Sequence, residues 1–187
     1  MELIVIRHGR TEHNIGKEKF AGNQIDNKLT KAGIEDAEIL ATHLKKMGKF
    51  DLVMTSRLKR SRQTARIISY RLGIPFKIID GLEEVDIGKF AGHTEKEVKK
   101  IYPQEAKAFY RGEIEKWNFP GGEDFQEIVA RIKKSIHTII GLHKKRIILS
   151  GHGMFNRVLF YLFLKNQQQL WQERSYPHDR IVKIIIN

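Results

Sequence analysis

Apolar residues occur along the chain in short runs that are typical of strands buried on both faces of a sheet. The first run is Leu3-Ile4-Val5-Ile6, which is apolar at every position and rich in β-branched side chains. Continuous runs of this kind occur in parallel sheets whose two faces are covered by helices. Similar runs follow it along the chain, and together they predict five strands, at residues 3–6, 51–54, 76–79, 146–150 and 181–186.

Between these runs the apolar residues repeat every three or four positions, as on the buried stripe of a helix. The first such stretch follows Thr30, a residue type that caps helix N-termini, and it stops at Gly48. Three more stretches, at residues 61–72, 124–141 and about 155–164, also predict helices. Strands that alternate with helices predict an α/β fold with a mostly parallel sheet.

The segment of about 88–122 departs from this alternation. It is polar and mixed, and glycines and prolines interrupt it. We expect short helices and loops here, which form an insertion or lid within one domain that spans residues 1–187. Its aromatic residues either line a substrate pocket or anchor the insertion to the core; they are Phe90, Trp117 and Phe119.

Side chains that suit phosphate chemistry follow four of the predicted strands. They include His8, Arg60, His152 and, after the third strand, a carboxylate from Asp80, Glu83 or Glu84. Ligands of open parallel sheets bind beyond the carboxyl ends of the strands, so these groups are expected at one rim. A neutral imidazole can attack phosphorus and hold the phosphoryl group. Arginines bind phosphate oxygens in pairs. A carboxylic acid can protonate the leaving oxygen and later deprotonate water.

Several blocks of sequence around these residues form a longer signature. The first is RHGRTEHN at residues 7–14, and the next is SRLKRSRQTA at residues 56–65. Three more follow: LEEVDIGKFAG at residues 82–92, PGGE at residues 120–123 and SGHG at residues 150–153. In content and order these blocks resemble the motifs of the histidine phosphatase superfamily, the phosphoglycerate mutase-like group. The resemblance implies a three-layer α/β sandwich with a mostly parallel central sheet flanked by helices.

The resemblance also implies roles for individual residues. His8 resembles the nucleophile that becomes phosphorylated, and Glu84 resembles the proton donor, with the adjacent Glu83 as the alternative. His152 belongs to both the catalytic set and the phosphate pocket, whose implied members are Arg7, Asn14, Arg60 and His152. The candidate substrate-specificity residues are Arg10, Arg57 and Gly153. Arg10 stands where many relatives carry glutamate or glutamine.

The same pocket can hydrolyse a phosphomonoester or pass the phosphoryl group to a second substrate. Family mutases that use a bisphosphoglycerate primer are typically longer, with an extended insertion over the pocket. Here 67 residues separate Glu84 from His152. We therefore favour a phosphatase that acts on a small phosphorylated metabolite, with mutase-type phosphotransfer as the alternative.

The net charge of the chain is +12, from 34 basic and 22 acidic residues, which indicates an anionic partner. Residues 55–79 carry seven basic and no acidic side chains, and residues 128–172 carry eight basic and none acidic. These segments contain Arg60 and His152, so the charge suits a phosphate-handling pocket with a basic surround. A basic nucleic-acid-binding domain is the alternative from another class, but no zinc-finger spacing or aromatic RNA-binding motif supports it. We expect no nucleic-acid partner.

The chain has no cysteine, which excludes disulfides, thiolate metal sites and cysteine nucleophiles. Its longest apolar run, residues 158–164, is too short to span a bilayer, and the N-terminus does not resemble a signal peptide. We expect a cytoplasmic protein with no membrane partner, as a monomer or homodimer. The resemblance implies a reaction without a metal, and we predict no cofactor.

Overall fold

A computed structural model describes residues 1–14, 19–173 and 177–186. Strands and helices alternate over most of this length, with additional short helices between the third and fourth strands. The elements in chain order are β1 (Glu2–Arg7), α1 (Lys31–Lys46), β2 (Leu52–Thr55), α2 (Lys59–Leu72), β3 (Phe76–Ile78), α3 (Glu95–Ile101), α4 (Pro103–Tyr110), α5 (Phe125–Ile140), β4 (Arg146–Gly151), α6 (Gly153–Phe163), α7 (Gln168–Gln172) and β5 (Ile181–Ile185).

The five strands form one sheet in the order β3-β2-β4-β1-β5. The pairs β2–β3, β2–β4 and β1–β4 are parallel, and β5 pairs with β1 in the antiparallel direction. The predicted α/β class with a mostly parallel sheet is confirmed. In this order β1 and β4 lie side by side, which places their carboxyl ends next to each other.

Helices cover both faces of the sheet, so the fold is a three-layer sandwich as the sequence indicated. On β1, Leu3 and Val5 join the core cluster formed with α5 and α6, while Ile4 and Ile6 join the cluster formed with α1 and α2. All four side chains are fully buried. Successive strand residues point to opposite faces, which explains why this strand is apolar at every position.

Local capping interactions fix where the longer helices begin. The Thr30 hydroxyl accepts a hydrogen bond from the Gly33 N–H and starts α1. Asp124 and Glu127 form a reciprocal capping box at the start of α5. Such caps satisfy N–H groups that the first helical turn leaves without partners. The predicted helix limits therefore agree with the structure to within two residues.

The segment of 88–122 contains α3, α4 and two short 3₁₀ turns. Its aromatic residues pack into the core cluster on the α5–α6 side of the sheet: Phe90, Trp117 and Phe119 are at most 3 % exposed. Phe109 of α4 contacts the Trp117 and Phe119 rings. These aromatic side chains therefore anchor the segment to the core. The organisation of residues 1–187 as one domain with an insertion stays a prediction.

Candidate active site

Two histidines lie side by side at the carboxyl ends of the two central strands. His8 follows β1, and His152 lies between β4 and α6. The register that pairs Arg7 with Gly151 brings the two residues to the same height, and their ring centroids are 5.2 Å apart. Both side chains are buried. The sheet topology thus joins residues that are 144 positions apart in the sequence.

The hydrogen bonds of His8 define which ring nitrogen is reactive. Its Nδ1 lies 2.8 Å from the carbonyl of Gly9, which can only accept, so Nδ1 carries the proton. Its Nε2 accepts a hydrogen bond of 3.2 Å from Nε of Arg60. Burial, together with the positive charge of Arg60, holds the pKa of His8 well below its usual value. The imidazole is therefore neutral at pH 7, with its lone pair on Nε2.

Arg60 lies in the first turn of α2, which follows β2. Its Nη1 and Nη2 donate to the carbonyls of Ile25 and Gly22, each at 2.7 Å. Because these two bonds fix the plane of the guanidinium, its Nε–H is directed at Nε2 of His8. The Arg60 side chain is buried, so its charge is little screened by solvent.

His152 is oriented by a bond between its Nε2 and the Ser56 hydroxyl at 2.8 Å. Its Nδ1 is buried and has no hydrogen-bond partner within the described residues. Burial, followed by the positive charges of Arg60 and Arg7, lowers the pKa of His152 well below its usual value. A buried nitrogen of this kind is suited to bind an oxygen of a ligand.

The structure separates the two adjacent glutamates that the sequence left as alternatives. Glu84 is buried and lines the cavity above His8, whereas Glu83 is partly exposed and accepts a bond from the Gly81 N–H at 2.8 Å. The carboxyl oxygens of Glu84 accept three backbone N–H groups, from Val85, Met154 and Phe155, at 2.9–3.1 Å. Two of these belong to the first turn of α6, so Glu84 lies at its positive N-terminus.

A partly buried ion pair holds the loop that carries Glu84. Arg131 of α5 donates to the carbonyls of Gly81 and Glu83 and forms two bonds to the Glu123 carboxylate, at 2.6–3.0 Å. Glu123 also accepts from the Asp86 N–H. Sequence reasoning identified Glu123 only as part of a motif and did not identify Arg131. Arg131 is one of three Lys and Arg residues in the stretch that predicts α5, so nothing in the sequence distinguished it from the others.

His8, Arg60 and Glu84 line one cavity of about 440 Å³, whereas the fully buried His152 is not among its lining residues. One group of its lining residues was identified from the sequence, and we call the part of the cavity that it lines the phosphate end, after its predicted role: Arg7, His8, Asn14, Arg60, Glu84 and Gly153. Another group lines the part that we call the aromatic end: Lys19, Phe20, Glu95, Phe109 and Tyr110. Sequence reasoning missed the aromatic end, since none of its residues belongs to a motif.

Gly153 lies where Arg7 and Glu84 converge. A Cβ atom at this glycine would lie 3.6 Å from Cζ of Arg7 and from Oε2 of Glu84. The missing side chain therefore leaves space for a ligand between the guanidinium and the carboxylate. Asn14 lies nearby at the cavity wall, where its Oδ1 accepts bonds from the N–H and hydroxyl of Thr11.

The other two specificity candidates lie outside the cavity. Arg10 forms a two-pronged ion pair with Asp36, at 2.8 Å on each prong. Arg57 pairs with Asp80 at 2.8 Å, and both of these side chains are more than two-thirds exposed. The turns that follow β1 and β2 direct these guanidinium groups toward surface carboxylates instead of the ligand space.

Among residues 1–14, 19–173 and 177–186, no group of three His, Cys, Asp or Glu side chains is arranged to hold a metal ion. Within the same residues, no helix combines the length and hydropathy needed to cross a bilayer. The cytoplasmic location, the oligomeric state and the absence of a metal or nucleic-acid partner stay predictions.

Comparison with known proteins agrees with the motifs and the geometry. A model of the histidine phosphatase superfamily (branch 1) matches residues 3–186. The chain is 32% identical to phosphoglycerate mutase-like protein 4 of Arabidopsis thaliana, over 100% of this chain and 76% of that protein. It is 31% identical to a 2,3-bisphosphoglycerate-dependent phosphoglycerate mutase of Beijerinckia indica, with coverages of 84% and 78%. The alpha-ribazole phosphatase of Shigella flexneri aligns with a TM-score of 0.81 at 26% identity, over 100% and 91% of the two chains.

Proposed function

Because the chain belongs to the histidine phosphatase superfamily, we propose that it hydrolyses phosphomonoesters of small metabolites through a phosphohistidine on His8. One observation carries the proposal: Nε2 of a neutral, buried His8 faces the cavity and receives the Nε–H of Arg60 at 3.2 Å. An imidazole nitrogen that carries no proton, held beside a fixed guanidinium, is a nucleophile prepared for a phosphoryl group.

In the first proposed step, Nε2 of His8 attacks phosphorus and the bond from phosphorus to the ester oxygen breaks. Arg7, Arg60 and His152 bind the phosphoryl oxygens, where negative charge is greatest. The Glu84 carboxyl gives its proton to the departing oxygen, so the product leaves as a neutral alcohol. The proton on Nδ1 of His8 stays on the ring, bonded to the Gly9 carbonyl.

In the second proposed step, a water molecule attacks the phosphorus of the phosphohistidine. Glu84 takes a proton from this water, the bond between phosphorus and Nε2 breaks, and inorganic phosphate leaves. The catalytic groups are thereby restored to their starting protonation states. We propose that the reaction needs no metal, because two guanidinium groups supply the positive charge. Dialysis against a chelator should then leave kcat within about twofold of its starting value.

Hydrolysis is favoured over mutase-type transfer by the size of the segment that covers the cavity. Between β3 and α5, this segment contributes only two helices, of seven and eight residues. The ligand space of about 440 Å³ lies within the range for small-molecule sites. An alpha-ribazole phosphatase is among the similar structures, which also supports a phosphomonoester as substrate.

A panel of phosphomonoesters with the wild type and His8→Ala tests the proposal. The wild type should release phosphate and, when quenched with labelled substrate, should carry an acid-labile phosphoryl group. His8→Ala should lose both, with turnover reduced by about 10⁴-fold or more. His137→Ala, at an exposed position on α5, is the matched control and should retain both. Undiminished turnover in His8→Ala would reject His8 as the nucleophile.

A second assay separates hydrolase from mutase. The wild type is incubated with a phosphoglycerate and a bisphosphoglycerate primer, and both isomer exchange and phosphate release are measured. The proposal expects phosphate release. Efficient isomer exchange without phosphate release would show that the protein is a mutase and not a hydrolase, with His8 still the phosphorylated residue.

A further inference from the structure

A third histidine lies beside the proposed nucleophile. His178 belongs to the turn that precedes β5, and its ring centroid is 5.7 Å from that of His8, in an edge-to-face arrangement. The antiparallel pairing of β5 with β1 brings this turn to the carboxyl end of β1. Neither the motifs nor the resemblance pointed to His178 as a site residue, because its turn belongs to none of the matched blocks, which end at residue 153.

His178 bonds to the backbone of His8. Its Nδ1 lies within hydrogen-bond distance of the His8 carbonyl, which can only accept, so Nδ1–H is the donor. The His8 N–H still donates to the Gly151 carbonyl, as in the β1–β4 ladder. The next ladder bond would come from Gly153, but α6 begins there. The His178 side chain therefore holds a carbonyl at the point where the sheet ends.

This bond completes a set that fixes the orientation of the His8 ring. The Gly9 N–H donates to the Thr64 hydroxyl at 3.0 Å, and the Gly9 carbonyl accepts from Nδ1 of His8. The His8 carbonyl and the Gly9 N–H belong to the same peptide unit. Its plane is thus held at one side by His178 and at the other by Thr64. The Gly9 carbonyl that orients the imidazole belongs to the next peptide unit, and the two units are joined at the Gly9 Cα atom.

We propose that His178 is a positioning residue that aligns Nε2 of His8 with the phosphoryl group by holding the His8–Gly9 peptide. The proposal rests on the proposed function, because it assigns His178 a part in the reactivity of His8. A small rotation of this peptide would displace the Gly9 Cα atom and, through it, the Gly9 carbonyl, so the imidazole bonded to that carbonyl would turn as well. Misplacement of a reacting group by about 1 Å can reduce a rate by about 100-fold.

The surroundings of His178 suit a neutral donor. Burial, together with the charge of Arg7, lowers the pKa of His178 to about 4. Arg10 acts in the same direction and Asp36 in the opposite one. At pH 7 the ring is therefore neutral, with its single proton committed to the His8 carbonyl. The neutral ring of His178 therefore adds no positive charge to a site that already contains Arg7 and Arg60.

The test compares His178→Asn with His178→Leu, two side chains of nearly equal size. The amide of Asn can donate to the His8 carbonyl, whereas Leu cannot. We expect His178→Leu to lower kcat and the single-turnover rate of His8 phosphorylation by about 10- to 100-fold, with KM within about twofold. For His178→Asn, kcat and the rate of His8 phosphorylation should lie within about threefold of the wild-type values. His137→Leu, at an exposed position, is the control and should leave both kcat and KM unchanged.

Equal kcat values in His178→Asn and His178→Leu would overturn the proposal, as would a loss that appears only in KM. If His178→Leu does not fold, His178→Ala replaces it, and the same comparison with His178→Asn applies. The His8→Ala assay is independent of these results. Activity that survives in His8→Ala would overturn the proposed function itself, whereas an inactive His8→Ala with an unaffected His178→Leu would overturn only the role of His178.

Discussion

The phosphate end and the aromatic end of the cavity are built in different ways. At the phosphate end, His8 and the adjoining His152 follow directly on the neighbouring strands β1 and β4, and Arg60 lies in the first turn of the helix after β2. At the aromatic end, Phe20 comes from a loop, and Phe109 and Tyr110 come from α4 in the segment that covers the sheet. The residues of the phosphate end are therefore positioned by the strands of the sheet, whereas those of the aromatic end belong to a loop and a helix that pack against the core.

The difference in construction matches a difference in hydrogen bonding. His8, Arg60 and Glu84 are each held by bonds to backbone atoms, so their polar groups have fixed directions. Phe20 and Phe109 are held by ring contacts, with centroids 5.5 Å apart. Ring contacts tolerate changes in shape more readily than hydrogen bonds do. The phosphate end is thus suited to one chemistry, and the aromatic end to selecting the group that leaves.

The largest expected loss of activity comes from Glu84→Gln, which removes the proposed proton donor at the phosphate end. Glutamine keeps the size of the side chain but supplies no proton to the leaving oxygen. Loss of a general acid reduces the rate by about 10²- to 10⁴-fold, and we expect this range in kcat for alkyl phosphates such as glycerol phosphate. With p-nitrophenyl phosphate, whose leaving group needs no proton, one equivalent of nitrophenol should appear in a burst before slow turnover.

Glu83→Gln is the matched control for this experiment, because Glu83 bonds to the Gly81 N–H outside the cavity. We expect it to retain kcat to within about threefold for both esters. The opposite pattern, with Glu83→Gln inactive and Glu84→Gln active, would assign the proton donor to Glu83.

The free energy of unfolding should depend on pH, because His8 and His152 are buried. His8 and His152 have pKa values well below that of the unfolded chain, about 6.5, mainly because they are buried. As the pH falls below 6.5, the unfolded state binds protons that the folded state does not. The free energy of unfolding should therefore be highest above pH 6.5 and fall below it, by up to about 1.4 kcal/mol per pH unit for each histidine.

Urea unfolding at pH 7.5, 6.5 and 5.5 measures this slope, since carboxylates stay largely ionised in that window. Between pH 6.5 and 5.5, His8→Asn should reduce the dependence of the free energy of unfolding on pH by up to about 1.4 kcal/mol per pH unit, because one titrating histidine is removed. His137→Asn, at an exposed position, should leave it unchanged. A free energy of unfolding that stays constant down to pH 5.5 in the wild type would contradict the buried, neutral state of these rings.

The phosphate end could be predicted because its signals are local. Each of its residues follows an apolar run that predicts a strand, and parallel strands bring their carboxyl ends together. His8, Arg60, Glu84 and His152 therefore meet as expected. The antiparallel direction of β5 has no comparable local signal, because it depends on which edge of the sheet the last strand joins. His178 depends on that pairing and was missed for the same reason.

The aromatic end could not be predicted because its residues meet only through tertiary packing. Phe20 contacts Phe109 across 89 positions of sequence, and neither position belongs to a repeating pattern. The sequence left open whether the aromatic residues of the segment 88–122 line the pocket or anchor the segment. In the structure, Phe109 does both: it lines the cavity and packs against Trp117.

Phe20→Ala tests whether the aromatic end selects the leaving group. We expect kcat/KM for 1-naphthyl phosphate to fall about tenfold, the effect of losing apolar contact in a substrate pocket. For glycerol phosphate, which is too small to fill the aromatic end, kcat/KM should stay within about twofold. Tyr102→Ala is the control, because Tyr102 stacks on Phe90 within the same aromatic group and is not among the lining residues of the cavity. Equal losses for both esters would contradict a selective role.

The smallest expected effect comes from Arg57→Ala. The sequence offered Arg57 as a specificity residue, but its guanidinium pairs with Asp80 and is 70% exposed. Exposed ion pairs contribute about 0–1 kcal/mol to stability, so the free energy of unfolding should change by no more than that. We expect kcat/KM to stay within about twofold for both esters at 0.15 M salt. A loss of tenfold or more for one ester alone would place Arg57 in contact with the leaving group and extend the specificity region beyond the aromatic end.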